Sequence, residues 1–297
     1  GGFFVKCEAL SVFDTDHQAI AFYQVTDGQW ECSSERVMPV VAADRLSLVH
    51  ASGLPAFRPV YDALLTMGFY NFHPGFMKGT WSPDPGEILD HDGANIASVI
   101  GHLADTNPRV MESVRSYLAS IVPGIVGVER VALGPMETLE FRQKVAGSDS
   151  PWKFLASGMS DGTLRALGVL VAVSQLADSR SPVRLVGIEE PEAALHPVAL
   201  GVLIDALREA ASNQQVLVTT QSPELLDEYE TATDHLLAVQ MIEGETWIGA
   251  PDPASRQVIR DHLFSAGELL RMDQIELDRS DLERQKQLRM FEDVEVA

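Results

Sequence analysis

Two short apolar runs, residues 183–188 and 216–219, flank a segment (residues 197–211) whose apolar positions recur at helical spacing. Neither run alternates polar with apolar, so each predicts a strand buried on both faces. Short buried strands that alternate with helices require a parallel sheet with helices covering it. Residues 162–177 are apolar nearly all round and predict a buried helix. Pro197 falls in the first turn of the helix over 197–211, where a missing N–H costs nothing. The chain after Pro151 therefore reads as an α/β core.

Upstream the pattern changes. Residues 3–12 and 19–25 are rich in β-branched and aromatic types, with turn residues Asp14, Asp16, Asp27 and Gly28 between and after them. They predict an antiparallel meander. Residues 39–59 are mixed and fit no single element. Residues 57–67 predict a helix and 68–72 a short strand, ended by His73-Pro74-Gly75. The Pro-, Asp- and Gly-rich stretch 79–93 predicts a loop, and 94–104 and 108–121 predict helices, the second stopped by Pro123-Gly124. Residues 128–133 and 136–145 flank Gly134-Pro135. In the second run Leu139, Phe141 and Val145 alternate with Glu140, Arg142 and Lys144, which predicts a hairpin with one wet face.

The expected fold class is α/β: a mostly parallel sheet with flanking helices, an antiparallel β region and a small helical insertion. The expected division is an antiparallel β part at 1–55 and a helical insertion with a hairpin at 56–150. A core follows at 151–235, then C-terminal strands and a helical tail at 236–297.

With 297 residues, 45% of them hydrophobic, the chain can bury a sizeable core. Its longest apolar run, 166–173, is too short to cross a bilayer. It opens at Gly1-Gly2-Phe3-Phe4 with neither a methionine nor a charged-then-apolar leader, and is read as a fragment or processed product. Cys7 and Cys32 form no CxxC and no histidine stands at zinc-ligand spacing, which argues against a structural zinc site and suits a reducing cytoplasm. The net charge of −21 repels a phosphate backbone on average, so contact with nucleic acid would need a local basic patch.

Three segments could carry chemistry. The first is Leu185-Val-Gly-Ile-Glu189-Glu190-Pro191-Glu192, an apolar strand ending in consecutive carboxylates. In open α/β sheets that strand end is where ligands bind. One carboxylate there can hold hydrated Mg²⁺ and a neighbour can polarise an attacking water. The second is Ser160-Asp161-Gly162-Thr163-Leu164-Arg165, where Ser160 or Asp161 can cap the buried helix and free N–H groups can face a phosphate. The third is Val218-Thr-Thr-Gln221-Ser222-Pro223 at the next strand end, where a polar side chain could reach a γ-phosphate. Taken singly, a solvated strand end, an ordinary capped helix and a strand-to-helix turn account for each.

Their order and spacing together resemble the ABC-type ATPase heads of the RecF, OLD and SMC-like group. They most resemble bacterial ATPases with a Ser-Asp-Gly-Thr-Leu-Arg signature and a Glu-Glu-Pro-Glu Walker B. The motifs cover residues 155–227. Residues 48–54 and 57–65, Phe69-Tyr70-Asn71 and Leu139-Glu140-Phe141-Arg142 also look like that subgroup. The resemblance implies ATP and Mg²⁺ as cofactors. It makes Glu189 the acid that holds the metal through water and Glu190 the general base. Ser160, Asp161 and Gly162 become signature residues that meet the γ-phosphate held by an opposite subunit. Arg165 ties the signature helix to the sheet, residues 193–196 through His196 form the D-loop, and Gln221 stands at the switch position. It also implies an ATP-driven homodimer and an effector protein as partner, with no membrane. DNA stays open, as does a role in repair or anti-phage defence.

Two departures qualify the resemblance. Gln221 stands where most such proteins have histidine; it can donate a hydrogen bond but cannot carry a proton at neutral pH. No GxxxxGK[ST] occurs in the 297 residues, so the phosphate-binding part of the head is expected on another segment or polypeptide. Three readings follow: an ATPase head, a split or degenerate head lending its signature in trans, and an α/β protein with no nucleotide role.

Overall fold

The computed structural model describes residues 4–177, 183–212, 214–231 and 234–289. It separates into two compact units, one of residues 1–68 with 182–185, the other of residues 69–181 with 186–297.

The first unit holds the expected meander, with a third strand that the sequence did not announce. Strands β1 (Cys7–Phe13), β2 (Ala19–Thr26) and β3 (Gln29–Ser33) pair antiparallel in chain order. Asp27 and Gly28 both take positive φ, 46° and 74°. That is the two-residue turn whose twist matches a right-handed hairpin. Ala21, Tyr23 and Val25 of β2 face inward onto Leu48, Ala51 and Phe57. The Tyr23 ring meets Phe57 and Trp30 edge-on, at 5.1 and 5.3 Å.

Helix α1 (Ser47–Ala51) starts at Leu46, which has no capping side chain. The Glu8 carboxylate fills that role, accepting from the Ser47 and Leu48 amides at 2.5 and 2.9 Å. It also accepts the Tyr23 hydroxyl at 2.6 Å. Burial, and then this carboxylate, push the phenol's pKa well above its ordinary value. Helix α2 (Arg58–Leu65) has Pro59 in its first turn, which its amide-free nitrogen permits.

Strand β4 (Met67–Tyr70) leads into the second unit. There follow α3 (Pro74–Met77), α4 (Ile96–Thr106), α5 (Pro108–Ile121), β5 (Ile125–Leu133), β6 (Met136–Gln143) and β7 (Trp152–Leu155). Next come α6 (Asp161–Ala177), β8 (Leu185–Glu189), α7 (Leu200–Ala211), β9 (Gln215–Thr219) and α8 (Pro223–Leu226). The C-terminal part adds β10 (Ala238–Ile242), β11 (Glu245–Gly249), α9 (Pro253–Arg260), α10 (Ala266–Arg271) and α11 (Arg279–Arg289).

The sheet that matters here runs β4-β8-β9. Strand β8 is buried through its middle as expected, but β9 is not buried on both faces: its positions alternate between exposed and half-buried, and Leu217 is 45% exposed. The sheet's strands are parallel: Asn71, just past β4, bonds Glu189 at the end of β8, and Glu190 bonds Thr219 at the end of β9. Against it lies the predicted buried helix. In α6, Leu164, Ala166, Leu167, Val169, Leu170, Val171 and Ala172 are at most 2% exposed. Each large aliphatic among them contributes roughly 1.5–3 kcal/mol by leaving water. Helices α5 and α7 pack beside α6.

The predicted hairpin is β5–β6, and β7 extends it to three strands. Thr138, on the expected wet face, is buried, and so is Glu137, which shares the apolar face with Leu139 and Phe141. The Trp81 backbone exchanges two hydrogen bonds with Glu137, and the Ser98 hydroxyl donates to the Glu137 carboxylate. The loop 79–93 thus pairs with β6 at Glu137 through a single antiparallel bridge. The helix expected over 197–211 is a single 3-10 turn at residues 197–199 followed by α7.

Gly168 of α6 lies against the ring of Phe72, where an added Cβ would sit 2.8 Å from Cδ1. Gly168→Ala should therefore overpack this contact and lower stability by about 1–3 kcal/mol in a urea melt, without changing helix content.

Candidate functional site at the edge of the parallel sheet

Strand β8 is apolar and buried through Val186, Gly187 and Ile188, then breaks into water at Glu189. Glu190 takes φ of 42°, in the left-handed region that glycine favours. Its amide still reaches the Thr219 carbonyl at 2.9 Å. The chain then turns tightly: Ala193 donates to the Glu190 carbonyl at 3.0 Å and Leu195 to the Glu192 carbonyl at 2.9 Å. Ala194 also has positive φ, 65°. Two strained residues within one turn are the kind of feature that functional sites retain.

Each acid of Glu-Glu-Pro-Glu has its own polar partner. Asn71 donates its side-chain amide to Glu189 Oε2 at 2.6 Å. Gln221 Nε2 donates to Glu190 Oε1 at 3.2 Å. The Thr220 hydroxyl donates to Glu192 Oε1 and accepts the Ser222 amide at 2.9 Å. Ser222 in turn caps α8 by accepting the Leu225 amide at 3.2 Å. All three donors are neutral, and each orients one carboxylate. Asn71 is the carboxylate partner that motif reading passes over; Phe69-Tyr70-Asn71 stands out only as a likeness to the subgroup.

The start of α6 carries Ser160, Asp161 and Gly162, the residues that the resemblance makes a signature. Ser160 accepts the Thr163 amide at 3.2 Å and shares a hydrogen bond with its hydroxyl at 2.8 Å, which makes Ser160 the cap. Asp161 forms an ion pair with Lys78, 2.6 Å away. Hydrogen bonding to this ammonium holds the Asp161 carboxyl below its ordinary value.

Gly162 is buried under the turn after β8. A Cβ there would lie 2.2 Å from the Ala194 carbonyl oxygen. The signature and the segment from Ala193 to His196 are therefore in contact within this chain. Arg165 lies on α6 with its Nε buried and without a hydrogen-bond partner. His196 accepts the Val198 amide on Nδ1 at 3.3 Å, capping the 3-10 turn.

The donor set at the strand end is oxygen-rich and exposed at Glu189. Carboxylate oxygens of this kind suit Mg²⁺, which keeps several waters and takes one or two protein carboxylates together with phosphate. Among the described residues no group of three or more His, Cys, Asp or Glu could cage a metal by itself. The site thus fits a metal shared with a ligand and not an all-protein cage. Among the described residues, too, no helix is long and apolar enough to cross a membrane.

Residues 138–227 match the model of the family described as "AAA domain, putative AbiEii toxin, Type IV TA system". That stretch holds every motif singled out from the sequence after Thr138. No curated protein matches the chain. Among solved structures, one described under ATP-driven dimerisation and DNA-stimulated activation of SMC ATPases is 17% identical, with a TM-score of 0.40. The match covers 54% of this chain and 94% of that one. An SMC head bound to the C-winged helix domain of ScpA is 15% identical, TM-score 0.46, covering 80% of this chain and 65% of the other. The SMC head domain from Thermotoga maritima is 14% identical, TM-score 0.40, covering 82% and 73%.

Lys78→Met should move the Asp161 titration upward, toward the ordinary aspartate value of 3.8, when followed by the carboxyl carbon's NMR shift. The sign follows from linkage: a lowered folded pKa gives a contribution present above the ordinary aspartate range and lost as pH falls through the lowered value.

Proposed function

We propose that this chain, whose residues 138–227 match an AAA domain, is the Walker B and signature part of an ATP-hydrolysing head. The observation that carries the reading is the pair Glu189–Asn71 and Glu190–Gln221, held side by side where a parallel sheet ends. Glu189 would hold Mg²⁺ through water, and the ion would supply charge stabilisation for the transferring phosphoryl group. Glu190 accepts the proton of the attacking water. Gln221 fixes the orientation of that carboxylate.

Ser160, Asp161 and Gly162 stand at the start of a long buried helix, where backbone amides and the helix dipole favour a γ-phosphate from an opposing subunit. The β- and γ-phosphates need a P-loop, and none is written in these 297 residues. The working unit in this account combines this chain with a segment that carries the P-loop, closes as a dimer around ATP, and acts on an effector protein. That same lack of a P-loop, together with Gln221, favours a second reading, in which the chain lends its signature motif without catalysing hydrolysis.

Turnover of Mg-ATP by the P-loop-containing assembly separates the two. Glu190→Gln should cut kcat by about 10²–10⁴-fold while ATP binding persists. An assembly that binds ATP but shows no turnover with Glu190 intact supports the signature-lending module instead.

A further inference from the structure

We infer that Glu192 and Thr220 are positioning residues for this site. Together they clamp the 219–222 segment so that Gln221 reaches Glu190. The inference rests on the ATPase reading for its catalytic consequence, and on hydrogen-bond geometry alone for the clamp itself.

The segment after β9 is exposed at Gln221, and a glutamine side chain there has little packing to hold it. Three contacts tie 219–221 to the turn after β8: the Glu190 amide to the Thr219 carbonyl at 2.9 Å, Gln221 Nε2 to Glu190 Oε1 at 3.2 Å, and the Thr220 hydroxyl to Glu192 Oε1. The first fixes the strand end. The second is the contact to be explained, and its length makes it the weaker of the two distances. The third links side chains that stand on either side of the Glu190–Gln221 pair in sequence.

Thr220 uses its hydroxyl twice, as donor to Glu192 and as acceptor from the Ser222 amide at 2.9 Å. The backbone on the far side of Gln221 is thereby folded back onto the residue before it. With its neighbours held on both sides, the Gln221 side chain has one short path, toward Glu190.

Glu192 bears a cost for this. Its Oε2 is buried and has no hydrogen-bond partner, which leaves that oxygen's lost solvation unreplaced. A buried unsatisfied oxygen of this kind calls for an explanation. An alanine here would avoid the cost and lose only the Thr220 contact. The carboxylate is thus explained by what it holds, and the adjoining positive φ of Glu190 and Ala194 shows a turn already under constraint.

The side-chain amide resonances of Gln221, identified by their disappearance in Gln221→Glu, report the clamp directly in a ¹⁵N correlation spectrum of the chain. Thr220→Val and Glu192→Ala should move them toward the position of a free glutamine, and Thr220→Ser and Glu192→Gln should return them to the parent position. Thermal midpoints identify any variant that has merely unfolded, and the two conservative variants carry the test if one has. Resonances unmoved in folded Thr220→Val and Glu192→Ala would overturn the clamp.

In the P-loop-containing assembly, Thr220→Val should lower kcat about tenfold with the KM for ATP unchanged, and Thr220→Ser should restore it. An unchanged kcat despite moved resonances would overturn the positioning role. A parent assembly without turnover would count against the ATPase reading, and the amide resonances would still decide the clamp.

Discussion

The hydrogen bond from the Glu190 amide to the Thr219 carbonyl is the contact on which the site depends. It lies just past the ends of β8 and β9, and it continues their pairing one residue beyond the sheet. Because these strands and β4 run parallel, their polar ends fall on the same edge. Glu189, Asn71 and Gln221 meet there for that reason alone. Had any one strand run the other way, its polar end would lie at the opposite edge, a full strand length away. The buried helix α6 fixes the sheet's position from one side, and its own start brings Gly162 under the turn that carries Glu190 and Ala194.

The dressing of the acids has a common logic. Asn71, Gln221 and Thr220 are all neutral donors, and each takes one oxygen of one carboxylate. A lysine or arginine in their place would orient the acid and also cancel its charge. The nearby cation, Lys78, is engaged by Asp161 at the signature. The three carboxylates at this edge are each ordered by a neutral donor. A divalent cation carried by an anionic ligand would meet complementary charge there.

Much of this was legible in the sequence because it is local. The lack of alternation in 183–188, the all-round apolarity of 162–177 and the Pro197 start each depend on neighbours within a few residues. The Asp27-Gly28 turn did too. Residues 216–219 do form a strand, but one with Leu217 45% exposed, because burial depends on what packs over the strand and not on its own residues. What the sequence concealed is non-local. Asn71 and Glu189 are separated by 118 residues, and nothing near Asn71 marks it as a carboxylate's partner. Lys78 sits just before the stretch that reads as loop and finds Asp161 only in the fold. Glu137 falls on the apolar face with Leu139 and Phe141, and its carboxylate finds Ser98 and Arg130 only in the fold. The third strand of each antiparallel sheet, β3 and β7, is short and depends on its neighbour for pairing, so its local pattern is weak.

The account turns on whether the Glu189 edge is where a nucleotide's divalent cation is held. Mn²⁺ in place of Mg²⁺ tests this most directly, titrated with ATP and followed by paramagnetic broadening of side-chain amides. The account predicts that the Asn71 and Gln221 amides broaden first, and that Glu189→Gln removes the effect. Broadening spread over the acidic surface, or centred elsewhere and indifferent to Glu189→Gln, would contradict it.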